Sequence, residues 1–423
     1  MSLGFDAEAR REWREGWPLG VSSLAGMTVA SIALYVIGSL VGPIEAEFGW
    51  SRAQIMLGLT ISTLVGALLG PVVGVMVDRW GPRRIALPGA VLTLTLFSIL
   101  SLATSSYPLW LGLWLIISIG GLGVAPTVWT MAIASNFEKS RGLAIALAMC
   151  GSAVAALIMP NLATALMTHY GWRGAVPMFC GIIGLVLLPV LWFAFHSKAD
   201  AARRQGALTD AEPAVLAPGV TNLRRAMRSG QFIKLALAAF LFTACTLGMV
   251  SNMVPVMASQ GFGPAEAAGI AGLLGIGSFA GRIGTGYLID RFNSSLIAGS
   301  LVLMPVISCL LLLQFGESAA LASAAVIIMG LALGAEVDVI AFLAAEKFGT
   351  ARFGTIFSVI NAGWTLATAV GPLLISLSYD MTGDYRLAIE AIIPVYVVVS
   401  LLLFTVGKPL PFDQQATVEG SEA

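Results

Sequence analysis

The sequence predicts an all-α membrane protein with twelve transmembrane helices in two pseudo-symmetric six-helix bundles. Three observations lead there: a shortage of charge, twelve apolar stretches of bilayer-crossing length, and an internal repeat. Of 423 residues, 57% are hydrophobic and 11% charged, and the mean hydropathy is +0.89. Soluble domains carry about 25% charged residues, so this chain cannot clothe a globule of its size in polar surface. Lys+Arg and Asp+Glu both number 23, and no basic excess points to nucleic acid. A soluble enzyme and a disordered scaffold are excluded by the same figures.

A helix needs about 20 apolar residues to cross a bilayer. Such stretches fall near 17–41, 54–77, 85–104, 109–135, 142–168 and 174–196 in the first half. In the second half they fall near 232–258, 264–288, 296–315, 319–345, 354–378 and 386–407. The expected domains are therefore a bundle over 1–196, a cytoplasmic linker over 197–230, and a second bundle with a short tail over 231–423. The polar start followed by a long apolar run does not fit a cleavable signal, whose apolar core is about 7–15 residues.

Charge orients the spans. With the N-terminus inside, 19 basic residues fall in inner segments and three (Arg52, Arg173 and Arg386) in outer ones. That bias satisfies the positive-inside rule and predicts a cytoplasmic (inner) membrane protein with both termini in the cytoplasm. One basic residue is left over, Arg282, inside the eighth span.

The halves match at a constant offset of 212 residues. Pro43 aligns with Pro255, Gly49 with Gly261, Gly74 with Gly286, Asp78 with Asp290 and Arg79 with Arg291. Gly142 aligns with Gly354, Pro160 with Pro372 and Gly171 with Gly383. Duplicated six-helix halves describe transporters that bind their substrate near the midplane between halves.

After the second span come Gly70, Gly74, Asp78, Arg79, Gly81, Arg83 and Arg84. Gly70 and Gly74 are four apart, which bares one helix face for close approach by a neighbour. This Gly-x-x-x-Asp-Arg-x-Gly-x-Arg-Arg pattern resembles the hallmark loop of the major facilitator superfamily. The resemblance implies that Asp78 and Arg79, and their repeat equivalents Asp290 and Arg291, gate the inner ends of the helices.

Arg282 sits eight residues before Asp290, or roughly 12 Å from the helix end at 1.5 Å per residue. An arginine at that depth costs at least about 2.5–3.5 kcal/mol, so it must face a wet cavity or a partner. Its rigid guanidinium fork suits bidentate capture of a carboxylate. The tenth span carries Glu336 and Asp338, two residues apart and so about 200° apart around the helix. They cannot line the same cavity. Desolvation favours the neutral form of a carboxyl, which makes both candidates for proton coupling; hydrogen bonding to a neighbouring helix is the alternative use.

Three further motifs narrow the resemblance: Phe48-Gly49-Trp50-Ser51-Arg52, Tyr170-Gly171-Trp172-Arg173 and Gly281-Arg282-x-x-x-Gly286. Together with Glu15-Gly16-Trp17 they look like the monocarboxylate porter branch. That branch binds the substrate carboxylate with an arginine in the eighth helix, the place held here by Arg282. Two departures stand out. Animal members have a proton-linked lysine in the first span, where this chain offers Thr28, Ser31 and Tyr35. They also have an aspartate one turn before the arginine, where this chain has Ser278.

Tyr35, Asn161, Asn361 and Trp364 are the expected additional substrate contacts, with Thr243, Asn252 and Thr365 as further polar candidates. Trp110, Trp172 and Trp192, near helix ends, suit interfacial anchoring. The four cysteines and two histidines show no metal-binding spacing, and no GxxxxGK[ST] stretch occurs; no cofactor or metal is expected. The sequence thus predicts a non-enzymatic secondary transporter of a monocarboxylate or related organic anion. It is expected to work by alternating access with proton symport, as a monomer, with a small organic acid, protons and the lipid bilayer as its partners. The alternative is proton-coupled efflux of drugs or metabolites. It lacks support in the fifth span, which does not carry the Gly-x-x-x-Gly-Pro pattern of that group.

Overall fold

The computed structural model describes residues 7–198, 200, 228–289, 291–314, 318–348 and 353–406. Nearly all of them are helical. The helices are α1 (Ala7–Ala30), α2 (Ile32–Phe48), α3 (Arg52–Trp80), α4 (Pro82–Ser98), α5 (Tyr107–Leu122), α6 (Pro126–Ala134) and α7 (Arg141–Ala194). They are followed by α8 (Gly230–Ser251), α9 (Met253–Ser259), α10 (Pro264–Ile289), α11 (Ser294–Gln314), α12 (Ala319–Phe348), α13 (Phe353–Thr382) and α14 (Arg386–Phe404). Most of the expected linker over 197–230 lies outside the described residues.

Eleven continuous helical runs among the described residues are long and apolar enough to cross a membrane. One of them, α7, holds 54 residues and is interrupted at Gly171 (φ 64°, ψ 167°), so it supplies the fifth and sixth spans. The other expected spans appear in order, with internal breaks. The first is interrupted at Ser31, between α1 and α2. The fourth breaks at 123–125 before Pro126, where proline disfavours a helical residue ahead of it. The seventh breaks at Asn252 (φ −96°, ψ 4°).

Among the described residues five glycines have positive φ: Gly49, Gly81, Gly171, Gly261 and Gly383. Only glycine enters this region without steric penalty. Four of the five form two pairs at the 212-residue offset, so the repeat read from sequence is a repeat of backbone turns. After Gly49, α3 begins with a capping box: Gln54 N–H donates to Ser51 Oγ (3.3 Å), and Ser51 N–H to Gln54 Oε1 (2.9 Å).

The chain divides into two compact units. The first comprises Met1–Val215 with Met253–Gly275, and the second Leu216–Asn252 with Ile276–Ala423. In the first unit α1 packs along α7. A Cβ on Gly151 would collide with the carbonyl of Leu24, and the Thr28 hydroxyl lies 2.9 Å from Leu24 O and 3.0 Å from Gly151 O. Backbone contact this close is how small residues hold membrane helices together.

The turn motifs meet at one end of this unit. Glu47 accepts from Trp172 Nε1 (2.5 Å), Arg173 Nε (3.1 Å) and Arg173 Nη2 (2.7 Å). Arg173 Nη1 also donates to the carbonyl of Ser101 (2.7 Å), and its guanidinium lies 4.5 Å from the Trp172 ring centroid. Trp110 is fully buried beside Trp50 and Trp114. This corrects the expectation for Trp110 and Trp172, which are packing residues. Trp192 is exposed. At the other end, Glu12 of α1 accepts the backbone N–H groups of Glu138, Lys139 and Ser140 ahead of α7 (3.0–3.1 Å).

In the second unit α8 packs against α13, and α11 against α12 and α14. Asn252 is buried, with its amide nitrogen on the carbonyls of Gly248 (2.9 Å) and Pro372 (3.3 Å). Its amide oxygen accepts from Ser376 (2.8 Å). Both units expose large apolar side chains, including Leu68, Leu185, Phe193, Leu374 and Leu401. Apolar residues turned outward along spanning helices are what a lipid environment requires.

Candidate membrane-embedded site

The cluster that carries chemistry lies in the second unit, where α8, α10, α12 and α13 each contribute a side chain. Glycines make it possible. A Cβ on Gly281 of α10 would collide with the carbonyl of Leu331, and one on Gly277 with that of Ile327. From the facing helix, a Cβ on Gly334 would collide with the carbonyl of Ser278. The two helices therefore approach backbone to backbone, with Arg282 directly after Gly281 and Glu336 two residues after Gly334.

Glu336 is 7% exposed and Arg282 9%. Glu336 Oε1 accepts from Trp364 Nε1 of α13 at 2.5 Å and from the Thr243 hydroxyl of α8. The Arg282 guanidinium is close enough to act on Glu336 through its charge. Glu336 also lines an apolar cavity between α8, α11, α12 and α14, with Phe242, Val302, Val339 and Leu403 among its other lining residues. A buried charge is tolerated only when paired or hydrogen-bonded. Here one carboxyl has two neutral donors and one nearby cation.

The structure thus brings together Arg282, Glu336 and Trp364 from the residues expected by sequence. Asn361 is three residues before Trp364 on α13 and is exposed. Tyr35 and Asn161 belong to the first unit. Tyr35 is buried on α2. Asn161 donates to the carbonyl of Leu157 in its own helix (2.8 Å), and Gly272 of α10 leaves room for its carboxamide. Asp338 lies in α12, but its side chain is outside the described residues.

Of the expected gating residues, Arg79 is exposed at the end of α3. Arg291 is exposed with its guanidinium 4.0 Å from the Tyr287 ring centroid. The Asp78 side chain and Asp290 lie outside the described residues. Gly70 and Gly74 depart from expectation: among the described residues, nothing lies within 4 Å of a Cβ built on either.

Sequence reasoning missed the role of Arg83. Gly81 (φ 87°) ends α3, and Pro82 opens α4. Arg83 then reaches α7, where Nη2 donates to the carbonyl of Trp192 (2.6 Å) and Nη1 to that of Phe195. The last carbonyls of a helix lack intrahelical partners, and a cation there also complements the helix dipole. In the sequence Arg83 counts only as one more inner positive charge, because its partners lie more than a hundred residues away.

The fold and these motifs define a membrane transporter rather than an enzyme. The chain belongs to the Major Facilitator Superfamily, whose sequence model matches residues 23–372. Among its relatives is Monocarboxylate transporter 13 of Bos taurus, 24% identical over 375 residues, covering 88% of this chain and 84% of the relative. Another is the 3-(3-hydroxy-phenyl)propionate transporter of Escherichia coli (strain K12), 27% identical over 252 residues. That alignment spans 59% of this chain and 57% of the relative. These relatives match the branch to which the turn motifs and the Arg282 segment pointed. The fold is also that of the inward-open xylose transporter XylE from E. coli (TM-score 0.73, 15% identity, 96% of this chain and 99% of that one).

Proposed function

We propose that this transporter carries a monocarboxylate or related organic anion across the cytoplasmic membrane by alternating access, coupled to proton symport. The observation that carries the reading is the burial of Arg282 and Glu336 in one cluster, with the Glu336 carboxyl held by neutral hydrogen-bond donors. An arginine fork at this depth offers a substrate carboxylate two parallel charge-assisted bonds. A carboxylate arriving there neutralises a charge whose exposure to apolar surroundings opposes movement of the helix. Glu336 is the residue to which we assign the coupling proton, with Asp338 as the second candidate.

In this reading Tyr35, Asn161, Asn361 and Trp364 supply polar and aromatic contacts to the acid. Asp78, Arg79, Asp290 and Arg291 latch the inner ends of the helices. The protein works as a monomer in the inner membrane, with both termini in the cytoplasm. The relatives support the substrate class: their names specify monocarboxylates and an aromatic propionate.

The test is uptake into proteoliposomes of labelled lactate, benzoate and 3-(3-hydroxyphenyl)propionate, with and without an imposed pH gradient. Uptake of at least one acid, driven by an inward proton gradient and lost in Arg282→Ala, is the expected result. Normal acid uptake by folded Arg282→Ala would overturn the anion site, and gradient-independent uptake would overturn symport.

A further inference from the structure

Thr243 makes two contacts that one hydroxyl hydrogen cannot serve together at full strength. Its Oγ1 lies 2.7 Å from the carbonyl oxygen of Ala239, one turn back on α8, and also contacts Glu336 Oε1. The carbonyl is only an acceptor, and an ionised carboxylate is only an acceptor too. With the hydrogen on Ala239 O, the contact to Glu336 needs a proton on the carboxyl oxygen. With Glu336 ionised, the hydroxyl must turn its hydrogen to the carboxylate.

We infer that Thr243 is a positioning residue whose hydroxyl reverses its hydrogen bond with the protonation state of Glu336 and thereby ties that state to α8. This rests on the reading of Glu336 as the proton carrier. In the protonated state Glu336 Oε1–H donates to Thr243 Oγ1, and Thr243 donates to Ala239 O. When the proton leaves for water, the Thr243 hydroxyl turns about its Cβ–Oγ1 bond, with the oxygen in place, and donates to Oε1. Ala239 O keeps its ordinary helical partner. Trp364 Nε1–H bonds Oε1 in either state (2.5 Å), since a carboxylic hydroxyl oxygen still accepts. The Trp364 bond holds the carboxyl in place while the Thr243 bond changes direction.

The groups around Glu336 leave this exchange to Thr243. The cation is Arg282 from α10. Tyr396 of α14 interacts with Glu336 electrostatically, but its hydroxyl sits with Thr246 Oγ1 (3.1 Å) and Met329 Sδ (3.9 Å). Cys245 on α8 and Cys309 on α11 are buried free thiols, and α13 presents Trp364. A hydrogen bond to an ionised acceptor is roughly twice as strong as a neutral one. The reversal therefore stabilises the ionised state more than the protonated one, through a side chain fixed to α8.

Infrared difference spectroscopy of the purified full-length protein, titrated with pH in deuterated buffer, tests this without a substrate. Glu336→Gln identifies the protonated-carboxyl band of Glu336. Thr243→Val keeps shape and removes the hydroxyl; it should change the band frequency and move its titration midpoint by about one pH unit. Thr243→Ser should restore both. Thr243→Ala replaces the valine variant if the latter is not monodisperse. A wild-type band and midpoint in a folded variant without the hydroxyl would overturn the role of Thr243 and leave Glu336 as proton carrier. If Glu336→Gln removes no titrating band, the proton-carrier reading fails, and the inference with it.

Discussion

The carbonyl oxygen of Ser278 occupies the space that a Cβ on Gly334 would need, so α10 and α12 touch through their backbones. Arg282 follows Ser278 by one turn, and Glu336 follows Gly334 by two residues. The distance between the two buried charges is thus set by a helix crossing that tolerates no side chain.

Gly334→Val is expected to separate the helices and abolish uptake, since backbone cannot yield as a flexible side chain does. Overpacking of this kind costs typically 1–3 kcal/mol or more. Thermal unfolding in detergent should show a lowered midpoint. By contrast Gly70→Ala, where the added Cβ meets nothing within 4 Å, should leave it unchanged.

Arg282→Lys separates charge from geometry. Lysine keeps the cation but is a point charge without the planar fork. Uptake of the transported acid should fall at least tenfold, about 1.4 kcal/mol, through a higher KM. Arg282→Ala should lose uptake altogether, while size-exclusion profiles of both variants stay monodisperse. Undiminished uptake by the lysine variant would argue against bidentate capture.

Trp364→Phe retains most of the ring and removes the N–H that Glu336 accepts at 2.5 Å. Losing one donor to a buried acceptor costs about 1–3 kcal/mol. The pH profile of uptake should shift while the protein remains folded. An unchanged profile, measured in proteoliposomes from pH 5 to 9, would mean that Trp364 only packs.

Arg83→Ala removes the cation from the carbonyls of Trp192 and Phe195. The expected loss is about 1–2 kcal/mol of stability, read from thermal unfolding, and Arg83→Lys should recover part of it. Equal stability of the alanine variant would assign the end of α7 to other partners.

Gly171→Ala places a side chain at φ 64°, ψ 167°, an essentially glycine-only region that costs other residues roughly 1–3 kcal/mol. The same substitution at Gly383 (φ 81°) should show a loss of similar size, because the two glycines are repeat equivalents. Gly142→Ala, helical and open, is the control.

Spans, the repeat and the depth of Arg282 were legible because they follow from one-dimensional quantities: run length, offset and distance from a helix end. Helix breaks at Ser31 and Asn252 were not, since a lone polar residue in an apolar run does not by itself mark a helix end. Partnerships were also hidden. That Glu336 would meet Trp364 and Thr243 depends on how α8, α12 and α13 rotate about their axes, which composition does not encode. Trp110 and Trp172 looked like interface anchors by position, yet aromatic packing and Glu47 claim them. Arg83 was legible as a charge and illegible as a cap, for the same reason of long-range pairing.

The paired glycine turns bear on how the chain enters a membrane. Gly49 lies between spans one and two, Gly171 between five and six, Gly261 between seven and eight, and Gly383 between eleven and twelve. Each joins two apolar helices by only a few residues, too little polar chain for one helix to settle far from the next. Those four pairs are built to insert as helical hairpins. Gly81 ties spans two and three as tightly, so the first three spans follow one another with no long polar stretch between them.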